Sequence, residues 1–186
     1  MSPMHALDDL QKSLCRLTQK GVAMPIAGIP YWLVMLLLGQ LLATPTASLV
    51  MILGQAAVFP VGLGISRFLR TPDFFAKDHP LSTLGGYLAA TNGLLLPIAV
   101  FVHELNPAWT PLFIAVTGGA HFLPFAWLYQ SRGYMVLSLG LVLGAVVVAI
   151  TAHTQAYSAI PVIAITASLI GVTMIRGELR RLFGRG

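Results

Sequence analysis

The sequence has little charge and almost no cysteine. Only 9% of its 186 residues are Asp, Glu, Lys or Arg, whereas about 25% is usual in soluble globular domains. So low a charge content excludes an ordinary soluble domain. The single cysteine, Cys15, excludes a disulfide framework, a CxxC metal site and an iron–sulfur cluster held within one chain.

The usual signatures of nucleic-acid binding and of common enzyme classes are also missing. No basic stretch is interleaved with aromatic side chains, so we expect no nucleic-acid partner. Glycine-rich phosphate loops, HExxH helices and GxSxG elbows do not occur. The chain therefore lacks the motifs of P-loop nucleotide-binding proteins, HExxH metalloproteases and α/β-hydrolases.

Long apolar runs fill most of the chain, which is 56% hydrophobic. A helix needs about 20 apolar residues to cross a bilayer, so six spans would use roughly 120 positions. Breaks containing Pro, Gly or Ser separate several of the runs, which makes neighbouring spans antiparallel. The predicted fold is an all-α polytopic membrane protein with six transmembrane helices at 25–44, 46–67, 81–104, 108–130, 133–153 and 156–176.

The residues before the first span predict a short amphipathic helix. Its apolar positions recur at helical spacing, at Leu7, Leu10, Leu14 and Leu17. Charged side chains fall mostly on the other faces, so we expect this helix to lie on the membrane surface. There Lys12, Arg16 and Lys20 would meet anionic lipid headgroups, each interaction worth about 1 kcal/mol.

All eleven lysines and arginines fall on one side of the six-span arrangement. Cytoplasmic loops carry the positive charge in membrane proteins, so this asymmetry predicts that both termini are cytoplasmic. The chain then divides into the amphipathic surface helix with its linker at 1–24, the transmembrane bundle at 25–176 and a basic cytoplasmic tail at 177–186. Membrane lipids, with anionic lipids at the cytoplasmic face, are the expected partners.

Four polar side chains fall near one depth inside the predicted bundle. At 1.5 Å per residue from the cytoplasmic end of each span, they lie roughly 13 to 18 Å deep; they are Gln55, Asn92, His121 and Thr166. One interpretation is a solute or ion site in which His121 is the ligand or proton acceptor and the amides orient it. The other is hydrogen bonding between helices that only fixes their packing.

His103 and Glu104 fall where the third span reaches the outer surface. A cation-attracting mouth and a solvated loop pair both fit this position. Bis-histidine haem would need two histidines at matched depth on neighbouring helices, and only His103 and His153 approach that arrangement. We expect no haem and no other metal or cofactor.

Two further patterns bear on helix packing. Interior prolines at Pro60, Pro97 and Pro124 remove backbone hydrogen bonds, and each can free a carbonyl to face a cavity or merely kink a helix. Gly140 and Gly144 form one GxxxG pattern in the fifth span. This pattern fits packing within the chain and also a dimer face, so a homo-oligomer stays open.

One stretch of the fourth span resembles a known family. Residues 118–129 read GGAHFLPFAWLY, and the chain also contains KDHPL at 77–81 followed by Gly85 and Gly86. With these stretches the chain is similar to an uncharacterised family of small bacterial integral membrane proteins, from the first span to Arg132. The resemblance implies a multi-pass protein of the bacterial inner membrane, and it carries no activity with it.

The sequence leaves two classes of function open. The first is a transporter or channel for a small solute or ion, built on the polar layer and the kinked spans. The second is a small intramembrane enzyme acting on lipid-like substrates, or a non-catalytic membrane assembly factor. The spans contain few carboxylates, which argues against a proton-driven pump and against a metal-dependent lipid enzyme, and a non-enzymatic role is favoured.

Overall fold

The computed structural model describes residues 3–184, which form helices joined by turns and one longer loop. The α-helices are α1 Pro3–Thr18, α2 Ala23–Leu41, α3 Thr44–Phe68, α4 Ser82–Leu94, α5 Leu96–Leu105, α6 Thr110–Leu128, α7 Arg132–Thr151 and α8 Ala156–Phe183. Short 3-10 turns connect three of the helix pairs, at Gln19–Gly21, Pro107–Trp109 and His153–Gln155. Within this part of the chain, six segments are long and apolar enough to cross a membrane. The prediction of an all-helical chain with six such segments is confirmed.

Helices α6, α7 and α8 form the centre of the bundle. Helix α7 contacts both α6 and α8, while α2 packs between α8 and α3. Helices α4 and α5 together make the third span and lie at the periphery, in contact with α6 and α3. The buried side chains form two apolar clusters, one around Tyr134 and Ile175 and the other around Met51 and Ile160.

Glycines allow the closest approach between α7 and α8. A Cβ added at Gly133 would lie 2.8 Å from the carbonyl oxygen of Gly171, and one added at Gly171 would lie 2.8 Å from Cβ of Leu137. The predicted GxxxG pair also faces α8, where Gly140 lies against Ala167 and Gly144 against Ile163. This pattern therefore packs within the chain.

The third span is broken close to its middle. Helix α4 ends at Leu94 and α5 begins at Leu96. Because Pro97 has no N–H, it cannot bond the carbonyl of Gly93 one turn earlier. In contrast, Pro60 lies inside the continuous helix α3 and Pro124 inside the continuous helix α6. Of these three prolines, only Pro97 accompanies an interruption in its span.

Helix α1 lies partly against protein rather than lipid. Gln11 Nε2 donates to the carbonyl of Trp127 at 2.9 Å, and Cys15 Sγ donates to that of Tyr129 at 3.3 Å. The backbone N–H of Asp73 donates to the carbonyl of Leu17 at 3.0 Å. Leu14, which the sequence assigns to a lipid-facing side, is buried. The C-terminal half of α1 is thus an integral part of the bundle.

The basic side chains gather at one end of the bundle, which we call the basic end. It comprises α1 with the turn at 19–21, the end of α3 with the loop at 69–81, the turn at 129–131 with the first residue of α7, and the last turns of α8, and it carries every lysine and arginine of residues 3–184. Helix α8 continues to Phe183, so much of the predicted tail at 177–186 is helical. Lys20, expected to face lipid, is instead buried in an ion pair with Glu178.

Candidate polar site within the bundle

Three of the four polar side chains singled out by depth carry a buried polar atom without a hydrogen-bond partner. The atoms are Gln55 Oε1, Asn92 Oδ1 and His121 Nδ1. Buried polar atoms in folded proteins are nearly always paired. Their coincidence with three positions predicted from depth alone makes them the candidate site, which we call the acceptor group for the reason given below.

The acceptor group belongs to three neighbouring helices. Gln55 lies on α3, Asn92 on α4 and His121 on α6, and α6 contacts both of the other helices. The imidazole of His121 lies close to the backbone of Leu88. Leu88 lies one helical turn before Asn92, on the same face of α4. His121 is therefore next to the part of α4 that carries Asn92.

All three unpaired atoms can accept hydrogen bonds. Nδ1 of a neutral imidazole is an acceptor when the ring proton is on Nε2. The unpaired atoms of Gln55 and Asn92 are amide oxygens, which are acceptors as well. Each of these atoms therefore suits a cation or a solute group that carries N–H or O–H.

The three side chains do not satisfy one another. Both interpretations of the sequence assumed hydrogen bonds at these positions, either from the amides to His121 or between helices. The structure shows neither for Gln55 Oε1, Asn92 Oδ1 or His121 Nδ1. What it shows is three acceptors on adjoining helices.

Thr166 does not join the acceptor group. It lies on an exposed face of α8, and its hydroxyl donates to the carbonyl of Val162 in the same helix at 2.9 Å. A threonine bonded to its own helix needs no partner from a neighbouring one.

His103 and Glu104 lie at the end of the bundle opposite to the basic end, and their surroundings differ. His103 Nδ1 lies 2.8 Å from Oγ of Ser48, which lies 2.6 Å from Oγ1 of Thr110. Ser48 and Thr110 are both fully buried. Glu104 is exposed. His103 thus holds α3, α5 and α6 together, and Glu104 alone offers a charge to solvent.

Ser48 and Thr110 are not among the residues predicted from the sequence. The available signal was periodicity, since Ser48 precedes Gln55 by two turns of α3 and Thr110 precedes His121 by three turns of α6. At 1.5 Å per residue, these spacings place the acceptor group roughly 10 to 16 Å inward from the Ser48–Thr110 contact. Polar side chains therefore follow α3 and α6 from the opposite end toward the middle.

Comparison with protein families matches residues 7–178 to a family of unknown function, DUF7010. The chain belongs to this family. The predicted resemblance to an uncharacterised family is thereby confirmed. No curated protein and no solved structure matches the chain.

In this DUF7010 protein, aromatic rings separate the acceptor group from the basic end. The ring of His121 meets that of Phe125 edge-on, with centroids 5.2 Å apart, and Phe125 stacks on Tyr129 at 5.8 Å. Tyr134 packs against both Phe125 and Tyr129, and its hydroxyl donates to the carbonyl of Lys20 at 2.8 Å. The side of His121 toward the basic end is thus packed with rings.

Proposed function

We propose that this protein is a transporter or channel of the bacterial inner membrane that passes a small cation or a small donor-bearing solute. The acceptor group is its binding site, and the basic end faces the cytoplasm. The observation that carries the proposal is the set of three buried, unpaired acceptor atoms on α3, α4 and α6.

The chemistry of the acceptor group limits the solute. Two amide oxygens and an unprotonated imidazole nitrogen stabilise a positive charge or a group of N–H or O–H donors. An anion would meet three partial negative charges and be repelled. Ammonium, a protonated small amine and a hydrated monovalent cation are the solutes that fit this donor requirement.

The break in the third span supports a transport role. Transporter binding sites are commonly built where a membrane helix is discontinuous, because unwound backbone there coordinates solute. Here the break at Leu95 follows Asn92 within one turn. Pro97 cannot bond the carbonyl of Gly93, which accepts instead from the backbone N–H of Leu95.

The opposite end provides an entry side for a cation. Glu104 is exposed there, and a single negative charge at the mouth of an apolar bundle raises the local concentration of cations. The buried polar contacts of Ser48 and Thr110 lie between this surface and the acceptor group. The route we propose runs along α3 and α6 from Glu104 to His121.

An enzymatic role finds less support in the same region. Ser48 and His103 are in hydrogen-bond contact. A histidine in such contact with a serine hydroxyl can activate it as a nucleophile. However, Ser48 is 0% exposed, and its hydroxyl also contacts Thr110. A hydroxyl sealed in this way acts as a link between helices rather than as a nucleophile.

Flux into vesicles tests the proposal. The full-length protein is reconstituted into liposomes containing a pH-sensitive dye, and ammonium, methylammonium, K⁺ and Na⁺ are added in turn. A protonophore is included for K⁺ and Na⁺, so that protons leave as these ions enter and the dye reports their flux. Wild-type vesicles are expected to admit at least one of these probes faster than protein-free vesicles. Gln55→Leu, Asn92→Leu and His121→Leu are each expected to slow this flux about tenfold, which equals about 1.4 kcal/mol in the barrier.

Thr166→Val is the matched control, because Thr166 was predicted at the same depth yet lies on an exposed face. It is expected to leave flux unchanged. Flux equal to that of protein-free vesicles for every probe would overturn the proposal. So would a loss at Thr166→Val as large as the loss at His121→Leu.

A further inference from the structure

A groove with a volume of about 550 Å³ opens at the basic end beside the last turns of α8. It is lined by Gln19, Arg176, Leu179, Arg180, Phe183 and Gly184. Arg176 and Arg180 are one helical turn apart, so both guanidinium groups belong to the same face of α8. The groove therefore combines two positive charges with an apolar wall.

The acidic residue nearest in sequence does not neutralise these arginines. Glu178 accepts from Lys20 Nζ at 2.8 Å and from the backbone N–H of Gly133 at 3.1 Å. Over the described part of the chain, the Lys20–Glu178 contact is the one ion pair found. Arg176 and Arg180 are both exposed, so their charge is available to a ligand.

The length of α8 places the two arginines at headgroup level. Its 28 residues extend about 42 Å, whereas the hydrocarbon core of a bilayer is about 30 Å thick. Counted from Ala156, about 20 residues cross that core. Arg176 then lies at the inner edge of the headgroup layer, and Arg180 lies about 6 Å further along the helix than Arg176.

The other lining residues suit a phospholipid. Gln19 Oε1 accepts a hydrogen bond from Thr71 at 3.4 Å, so the amide N–H groups of Gln19 are the donors it can offer to the groove. Leu179 and the half-exposed Phe183 form an apolar border next to the charges. Two guanidinium groups and an amide donor match the oxygens of a phosphate, and the border matches the start of an acyl chain.

We propose that this groove binds the phosphodiester of an anionic phospholipid, with Arg176 and Arg180 on the phosphate oxygens. The proposal corrects the expectation that Lys20 provides the contact with anionic lipid, because Lys20 is committed to Glu178. It goes beyond the transport function and does not depend on it, since the groove and the acceptor group lie at different heights in the bundle.

Thermal unfolding of the full-length protein in a neutral detergent tests this inference. Phosphatidylglycerol, phosphatidylcholine and inorganic phosphate are titrated separately, and the melting temperature is followed. Phosphatidylglycerol is expected to raise it saturably, and the other two are not. In the Arg176→Gln/Arg180→Gln variant, the lipid concentration needed for half the effect is expected to rise about 30-fold, for two lost cations near the headgroup.

The Arg132→Gln/Arg181→Gln variant removes the same charge from the basic end but leaves the groove intact, and it should respond like the wild type. An equal loss in both variants would show a diffuse charge effect and overturn the proposal. Equal responses to the two lipids would do the same. Saturation by inorganic phosphate alone would assign the groove to a soluble anion.

Native mass spectrometry of the wild type keeps the test decisive if the groove variant does not fold. One phosphatidylglycerol is expected to stay bound at collision energies that strip phosphatidylcholine. Loss of both lipids at the same energy would contradict the proposal.

Discussion

Lys20 at the α1–α2 junction and Glu178 near the end of α8 form an ion pair, with Nζ 2.8 Å from Oε2, although they are 158 positions apart. Lys20 is 6% exposed. Its φ of 53° is left-handed, as are those of its neighbours Gln19 and Gly21. Left-handed backbone costs about 1–2 kcal/mol at a residue with a side chain. The ion pair and the Tyr134 hydroxyl on the carbonyl of Lys20 hold this junction in place.

Breaking the Lys20–Glu178 pair should destabilise the fold strongly. Lys20→Met leaves the Glu178 carboxylate partly buried without its cation, and Glu178→Gln leaves Lys20 buried without its anion. Removing one partner of a buried ion pair costs about 3 kcal/mol. Each variant should therefore unfold at a markedly lower temperature in detergent, whereas Lys20→Met/Glu178→Leu should recover much of the loss.

Lys12→Met is the control for this prediction, because Lys12 is an exposed lysine of α1. It should melt within a degree or so of the wild type, as exposed substitutions usually change stability by less than about 0.5 kcal/mol. A Lys20→Met protein that melts like Lys12→Met would show that the pair contributes nothing.

The glycines between α7 and α8 should not tolerate a methyl group. An alanine at Gly171 would press its Cβ to 2.8 Å from that of Leu137, and one at Gly133 would meet the backbone of α8. Overpacking of this kind costs about 1–3 kcal/mol, so both variants should melt at lower temperature. Gly64→Ala and Gly177→Ala should not, because a Cβ there meets nothing within 4 Å. Equal melting of all four variants would contradict the packing argument.

Hydropathy was sufficient to predict the helices. A membrane requires about 20 apolar residues per helix and no unpaired backbone, so the run lengths alone place the beginnings and ends of most spans within a few residues. The end of α8 was harder to predict because residues 177–183 are charged yet remain helical. Charge marks where a helix leaves the bilayer, not where it ends.

The depth of a residue along its helix was predictable, but the face of the helix on which its side chain lies was not. Gln55, Asn92 and His121, which were selected by counting residues, each carry a buried polar atom. The same count could not show that Thr166 faces outward, because a uniformly apolar span has no amphipathic pattern. Nor could local sequence reveal that Lys20 meets Glu178, since that contact depends on how α2 packs against α8.

The arrangement of charges predicts the orientation of the whole bundle. If the basic end is cytoplasmic, reporters fused after residues 45, 106 and 155 should be active outside, and those after 75, 132 and 186 inside. Reporter pairs that fluoresce or act on opposite sides of the membrane measure this directly. A fusion after residue 186 that is active outside would reject the six-span orientation.

Replacement of His103 by leucine should change the melting temperature differently from replacement of His121. His103 is bonded to Ser48, which also contacts Thr110, so His103→Leu removes a partner from a fully buried hydroxyl pair. A lost hydrogen bond in a membrane bundle costs about 1–2 kcal/mol. We expect His103→Leu to lower the melting temperature in detergent.

His121→Leu should not lower the melting temperature. If His121 were hydrogen-bonded within a polar layer, the same substitution would lower it. Nδ1 of His121 has no partner to lose, and replacing an unpaired buried polar group by an apolar one is neutral or stabilising. The variant should therefore melt at the wild-type temperature or above while losing the flux that the transport proposal assigns to it. Stability gained where function is lost is typical of a site that carries a ligand. A fall in melting temperature as large as that of His103→Leu would show instead that His121 is bonded within the bundle and that its role is packing.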